Sequence, residues 1–404
     1  VLALDFFFVS SPLVFEPVFD NSLRRAVLCT TIACVLSLPW LRLPRIPWSV
    51  AVFLAFAFAS CFWSINQAFT VHFSGLYVVL AVLGVVVACN VETRALTHGV
   101  MLGAAVVVVT SIYAFWAKMP GAAVPPGSSG YLAGVGTNRN ILAYAMIIAF
   151  ALAVSFVPRS RALRAGWTAA LLLIVSGIIL AESATGIAAL AALSAIALVL
   201  GARDHLASLG RQPGRRYWLG IGAMLTTLSA VSIGWYESLH RDIQRDLSIT
   251  GRVQIWEAAW SASAMRVRVI GDGWGSVWPH PWRPAPPNGA FDEIVLRVGH
   301  TVAHGHNSAM DLVPELGVVG VGLFALVYLQ TVARALRQRR GLTTPAARER
   351  GRLGILGVAG LLLAGVTEPI SVVPLGFFVA VLIAAHLYPG RTAQSPRSVD
   401  AQVS

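Results

Sequence analysis

The chain alternates long apolar runs with short polar connections. A membrane-crossing helix needs roughly 20 predominantly apolar residues, and runs of that scale recur down most of the 404 residues. Hydropathy places about twelve spans, at 2–15, 25–41, 47–64, 73–90, 98–116, 139–157, 167–181, 186–200, 218–235, 308–333, 353–368 and 370–388. The run from Trp167 to Leu200 is too long for one crossing, so Glu182-Ser-Ala-Thr-Gly186 reads as a tight turn between two helices. The pattern predicts an all-α polytopic integral membrane protein in four parts. Residues 1–235 hold nine transmembrane helices, 236–307 form one large hydrophilic loop domain, 308–388 hold three more helices, and 389–404 form a polar, disordered tail.

The polar connections are unequal. Residues 117–137 are rich in Gly, Pro and Ser and show no obvious helix. Inside the large loop, Gly251 to Met265 has helical periodicity, with Ile255, Ala258, Ala259 and Ala262 as a candidate buried stripe. Gly271 to Gly289, full of Gly, Pro and Trp, reads as loop. Val1 to Val9 lacks the basic region and cleavage site of a signal peptide, and a truncated start would shorten the first span.

Composition agrees with the pattern. Hydrophobic residues make up 56% and charged residues only 12%, about half the charged share of a soluble domain. Net charge is +12, nearly all from Arg, with Lys118 the one lysine. On alternate connections the cations divide nineteen to eleven, and the richer set falls on the shorter loops. By the positive-inside rule both termini lie in the cytoplasm and loop 236–307 is extracytoplasmic. The basic excess is therefore a topology signal that also suits anionic membrane lipids, and nucleic acid is excluded as a partner. Cys29, Cys34, Cys61 and Cys89 lie in or beside apolar runs and read as small core hydrophobes.

Candidate chemistry gathers where the large loop returns to the membrane. His300 to Gly322 begins with crowded protonatable side chains and ends in an unbroken apolar run. His306 and Asn307 sit at that junction, where a polar group is costly unless it has a role or a partner. Histidine can take up and return a proton near neutrality.

His306-Asn307, nine residues, then Gly317-Val-Val-Gly320 resembles the His-Asn-x9-Gly-x-x-Gly signature of the O-antigen ligase and polymerase superfamily of bacterial integral-membrane enzymes. Thr250-Gly-Arg-Val-Gln-Ile-Trp256 is similar to a Thr-Gly-Arg-x-x-x-Trp stretch in that superfamily's outer loop, notably in exopolysaccharide polymerases. Gly271-Asp-Gly-Trp-Gly-Ser-Val-Trp278 resembles the Gly-x-Gly stretch that follows there, and Gly136-Thr-Asn-Arg-Asn140 resembles a basic-then-Asn patch at the mouth of the sixth span. Cys61-Phe-Trp-Ser64 adds a weak similarity. One departure stands out. Ligases of the family tend to show Ser-Arg at the outer end of the seventh span, whereas this chain has Ser183-Ala184, and Ser183-Ala-Thr185 looks closer to the Ser-x-Thr of polymerases. Arg139, or a loop arginine such as Arg241 or Arg245, could supply the missing charge.

The resemblance implies a metal-independent, inverting glycosyltransferase of the cytoplasmic membrane, with its site on the extracytoplasmic face. Its donor is an oligosaccharide on a polyprenyl (undecaprenyl) diphosphate, its acceptor is a glycan or a lipid, and it uses no cofactor. A surface-polysaccharide polymerase is the leading expectation. Ligation to a lipid or protein acceptor is the alternative, and a flippase for the same lipid-linked glycan is the more distant one. His306 is the expected base and Arg252 the expected diphosphate ligand, since a guanidinium grips phosphate oxygens bidentately. Arg139, Asn140, Asn307, His304 and Trp256 are the expected substrate-binding residues. His300, His304 and His306 have spacings compatible with a metal cluster, but without a cysteine or a firm carboxylate the expectation is no metal. Trp256, Trp260, Trp274, Trp278 and Trp282 suit either sugar stacking or interfacial anchoring. Glu182, Glu315 and Glu368 near helix ends are rival bases.

Overall fold

The structure is a computed structural model. It describes residues 45–119, 122–124, 130–136, 138–156, 158, 160–209, 214–215, 219, 248–262, 265–279, 289–340, 345–369 and 372–388, together with 28, 31, 32 and 35. The expected spans 2–15, 25–41 and 218–235 lie wholly or largely outside these residues, as do the tail, Arg241, Arg245 and Trp282.

The fold is helical. In chain order the helices are α1 (Trp48–Ala59), α2 (Gln67–Asn90), α3 (Thr93–Trp116), α4 (Arg139–Ala153), α5 (Arg161–Leu180), α6 (Ala184–Ser208), α7 (Ser248–Ser261), α8 (Met265–Ile270), α9 (Ala290–Val298), α10 (Ser308–Arg340), α11 (Pro345–Gly365) and α12 (Pro374–His386). Five are long and apolar enough to cross a membrane: α2, α3, α5, α6 and α10. α1, α4 and α12 are apolar but shorter. The chain is thus an all-α, multi-pass membrane protein. Between α3 and α4, where no helix was expected, Ala123–Val124 (β1) and Tyr131–Leu132 (β2) pair as a two-stranded antiparallel ribbon.

α4 lies at the centre of the bundle. Leu142 to Ala153 are buried without a break, and the helix packs on α3, α5, α6 and α11. Burial on every side explains why α4 shows no polar face. Its N-terminus is capped by Asn138, whose side chain accepts from Asn140 and Ile141 N–H groups, a device worth about 1 kcal/mol. The expected turn before α6 is present. α5 ends at Leu180, Glu182 takes a left-handed φ of 46°, and the Ser183 hydroxyl caps α6 by accepting from Gly186.

The large connection folds onto one end of the bundle. The stripe Ile255, Ala258, Ala259 and Ala262 on α7 is buried against Ile294 and Phe291 of α9 and against Trp278. Helix α10 is broken at Gly317, with φ 63° and ψ −172°. A break there leaves the carbonyls of Pro314 and Glu315 without helical donors. The N–H groups of Asp272 and Gly273 take their place, both at 2.9 Å. A side chain at Gly317 would collide with the backbone of Val269 and Ile270. Gly273 likewise has no room for a Cβ against Ser64. The two glycine motifs are therefore halves of one docking contact, which fixes the 271–279 loop over the start of α10. Ser60 and Trp63 complete it, through Trp274 N–H to Ser60 Oγ at 3.0 Å and Trp63 Nε1–H to the Ile270 carbonyl at 3.3 Å.

Candidate active site

At this end meet the N-terminus of α4, the α5–α6 turn, helix α7, the loop before α10 and the segment after α11. The residue at their centre is Glu368, 5% exposed. Arg252 Nη2 donates to its Oε1 at 3.1 Å, and Asn140 Nδ2 donates to the same oxygen at 3.2 Å. His306 Nδ1 stands 3.2 Å from both carboxylate oxygens. His304 Nε2 is 3.8 Å from Oε2. Four residues expected from the sequence, Arg252, Asn140, His306 and His304, thus converge on a fifth that had been set among the rival bases.

This geometry fixes protons. A carboxylate only accepts, so His306 Nδ1 carries its hydrogen toward Glu368, and in the neutral ring the lone pair is then on Nε2. His304 Nδ1 accepts the His306 backbone N–H at 3.2 Å, which leaves the His304 proton on Nε2, facing Glu368. Burial, with the neighbouring His306, pulls the His304 pKa down to about 4 despite that carboxylate. His304 is therefore neutral near pH 7. His306 is held at φ 50°, a left-handed conformation uncommon for a side-chain-bearing residue, which marks a loop built to aim that ring.

The other expected residues surround this centre. Trp256 Nε1–H donates to the Gly305 carbonyl at 2.8 Å and so ties α7 to the histidine loop. Asn307 spends both ends of its amide on the fold. Its Oδ1 caps α10 at Ala309 and Met310, and its Nδ2 donates to the Val366 carbonyl at 2.7 Å. The residue expected to bind substrate thus also caps α10 and ties it to the segment after α11. Asn140 is engaged at both ends too, since its Oδ1 accepts from the Ser183 hydroxyl at 3.1 Å. Arg139 stacks over Tyr131 at 4.5 Å and leaves its buried Nη1 without a hydrogen-bond partner. Ser183 and Thr185 belong to the same network, because Tyr144 joins Thr185 and Thr367 through its hydroxyl. Arg252 is only 8% exposed and ion-paired, so it is no solvated loop arginine, and its replacement would break a buried ion pair. His300 lies apart from this cluster on an exposed turn.

Glu368 supplies the carboxylate that the metal reading lacked. His304, His306 and Glu368 offer three donor atoms within 4.8 Å of one another. Their chemistry opposes a cation. To ligate through Nε2, His304 must move its proton to Nδ1 and abandon the His306 N–H. The Arg252 charge also sits against the shared carboxylate. The trio fits a charge-paired proton site better than a metal centre.

Glu368 was hard to read because it lies some sixty residues beyond the histidine motif, within an apolar stretch. The available signal was physical, since a carboxylate at a membrane edge needs partners.

The family model described as O-antigen ligase matches residues 169–325. That range takes in Ser183, Arg252, His306 and Gly317 but not Asn140 or Glu368. The exopolysaccharide production protein ExoQ of Rhizobium meliloti (strain 1021) is 25% identical over 285 residues, covering 69% of this chain. The chain spans 62% of that relative's length.

Proposed function

We propose that this chain, whose residues 169–325 match the family model described as O-antigen ligase, belongs to the O-antigen ligase and polymerase superfamily and is a membrane glycosyltransferase that extends a surface polysaccharide. The donor is an oligosaccharide on a polyprenyl diphosphate, and the acceptor is another glycan. The observation that carries the reading is the pairing of His306 Nδ1 with both oxygens of Glu368, with Arg252 on the same carboxylate. His306 Nε2 takes the proton from an acceptor hydroxyl. The hydroxyl oxygen attacks the anomeric carbon from the face opposite the diphosphate. The bond from anomeric carbon to phosphate oxygen breaks, and its electron pair leaves on the polyprenyl diphosphate. The configuration inverts and no metal is needed. Glu368 stabilises the imidazolium as it forms, as the carboxylate of a catalytic triad does. Arg252, through its remaining N–H groups, and Arg139, through its unpartnered Nη1, face the charge that grows on the leaving group.

Polymerisation is favoured over ligation by the Ser183-Ala-Thr185 pattern and by the likeness to an exopolysaccharide production protein. Its place is the cytoplasmic membrane, with the site on the extracytoplasmic face. Two experiments test these points. His306→Ala in cells should lower transfer by roughly 10²–10⁴, with carrier-linked donor accumulating. Normal polymer from that variant, with a dead Glu315 or Glu182 variant, would move the base to a carboxylate. Cysteine at Ser238 or Asn288 should react with an impermeant thiol reagent in intact cells. Labelling only after permeabilisation would invert the topology and remove the site from its substrate.

A further inference from the structure

Glu368 is the end of a ring of hydrogen bonds that leaves it through one neighbour and returns through another. Asn140 and Tyr144 come from α4, Ser183 and Thr185 from the start of α6, and Thr367 from the segment after α11. Asn140 and Tyr144 are four residues apart and so share one face of their helix. Asn140 Nδ2 lies 3.2 Å from Glu368 Oε1, and its Oδ1 lies 3.1 Å from Ser183 Oγ. Ser183 Oγ is 3.3 Å from Thr185 Oγ1. The Tyr144 hydroxyl bridges Thr185 and Thr367. Thr367 immediately precedes Glu368, which closes the ring.

The direction of each proton follows from the carboxylate. Glu368 is ion-paired to Arg252 and only accepts. Asn140 must therefore turn its NH₂ to Glu368 and its carbonyl to Ser183. That carbonyl only accepts, so the Ser183 hydroxyl donates to it. With its own proton spent, Ser183 accepts from Thr185. Thr185 then has only lone pairs left for Tyr144, so the Tyr144 hydroxyl donates to Thr185 and accepts from Thr367. The donors run in one sense, from Thr367 round to the Glu368 carboxylate, and bonds in such a chain polarise one another. Tyr144 is fully buried and Ser183 is 2% exposed, so both act on the site through Glu368 and not on a substrate.

We propose that Tyr144 and Thr185 are positioning residues for the Glu368 carboxylate. The inference rests on the transferase reading and deepens it. The ring holds Glu368 at two points, with Asn140 on its Oε1 and Tyr144 on the adjoining Thr367. Held in this way, the carboxylate presents both oxygens to His306 Nδ1 at 3.2 Å and keeps the proton on that nitrogen. Without the phenol hydroxyl, Thr367 loses its tie to α4, and Thr185 loses the bond that turns its proton toward Ser183. The carboxylate can then turn from the histidine. The ring also gives Ser183-Ala-Thr185 a task that needs hydroxyls at 183 and 185 and none at 184, where the side chain is exposed.

The His306 tautomer reads this directly, by nitrogen NMR of the full chain in detergent with isotope-labelled histidine. The His306 signals are assigned from their loss in His306→Ala. With the ring neutral, the wild type should carry its proton on Nδ1. Tyr144→Phe keeps the ring packing and removes the hydroxyl, and should shift the population toward Nε2–H. Thr185→Val should do the same, while Thr185→Ser, which keeps the hydroxyl, should hold the proton on Nδ1. Asp204→Asn, which breaks an ion pair with Arg339 at the other end of α6, should leave the tautomer alone. In transfer assays Tyr144→Phe and Thr185→Val should lower kcat about tenfold with KM unchanged, the effect of one lost hydrogen bond. A wild-type ring with its proton on Nε2, an unchanged tautomer in both Tyr144→Phe and Thr185→Val, or an equal shift in Asp204→Asn would overturn the proposal. If Tyr144→Phe does not fold, the two Thr185 variants decide by the same outcomes. The expected tautomers beside normal transfer by His306→Ala would leave the positioning role standing and end the reading of His306 as the base.

Discussion

The two ends of the helical bundle both hold a carboxylate among arginines, and they use it differently. At the far end Asp204, on α6, accepts from Arg339 of α10 at 2.6 Å and lies 4.0 Å from Arg352 of α11. Arg94 of α3 meets Glu349 of α11 at 3.4 Å, and Thr93 bonds His386 of α12 at 2.7 Å. Each link joins one helix to another. At the near end Glu368 receives Arg252, Asn140 and two histidines, of which only Asn140 and Arg252 belong to helices. Backbone conformation differs in the same sense. Among the described residues the left-handed ones are Lys118, Gly134, Glu182, Gly271, Gly273, Gly275, Gly299, His306 and Gly317. All lie on or beside connections at the near end. One end fastens helices, while the other spends strain and loop entropy to aim side chains at a shared point.

The largest effect should separate the two acids. Glu368→Gln keeps the shape and the Asn140 contact but ends the command over the His306 proton. It should cost roughly 10²–10⁴ in transfer rate. Glu368→Ala should in addition leave Arg252 buried without a partner and lower the melting temperature, since breaking a buried pair costs about 3–5 kcal/mol. Asp204→Asn should do the reverse, with near-normal transfer and a stability loss of about 1–3 kcal/mol. Polymer yield and thermal melts in detergent read both. Equal loss of transfer in Asp204→Asn and Glu368→Gln would erase the distinction between the ends.

Arg252 comes next. Arg252→Lys should be nearly as damaging to transfer as Arg252→Ala, because a point charge cannot hold Glu368 and a phosphate oxygen with one planar fork. Both variants should also melt lower than the wild type, Ala more than Lys. A Lys variant with full transfer would reduce Arg252 to a structural partner of Glu368, like Arg339 for Asp204.

The helices were the more legible part of this protein. Apolar runs announce helices because burial and backbone satisfaction in a membrane act locally. The α7 stripe followed from a 3.6-residue period. The His306 and Arg252 motifs were visible because each is contiguous. Glu368 was named only as one of three rival bases, because what defines it is the convergence of α4, α7 and the histidine loop on its carboxylate. The cap at Asn307 was missed for a related reason. Beside a histidine it looks like a ligand, but one residue before a helix an asparagine is first a cap. The break at Gly317 was hidden inside an unbroken apolar run, and only the docked 271–279 loop explains why a glycine stands there. The ribbon at Ala123–Leu132 has too little apolar alternation to be read from so short a stretch.

The smallest expected effect sharpens the comparison through pH. His304 titrates at about 4 in the folded chain, against about 6.5 when its loop is open and solvated. Below pH 6.5 the open form takes up a proton that the closed form refuses. Closure is thus fully favoured above 6.5, weakens as pH falls through the window between about 6.5 and about 4, and changes no further from this source below it. The groups around the ring are His306, Glu368 and Arg252, which also enter its electrostatics. The limit is about 1.4 kcal/mol for each pH unit in the window, and a partly open loop should show less. Melting curves from pH 7.5 to 4.5 should therefore fall for the wild type and fall less for His304→Gln, whose amide oxygen still accepts the His306 N–H. Asp204→Asn, altered at the other end, should start lower and then run parallel to the wild type. Parallel curves for His304→Gln and the wild type would show that the acid sensitivity lies elsewhere, and that His304 owes its place to packing and not to its proton.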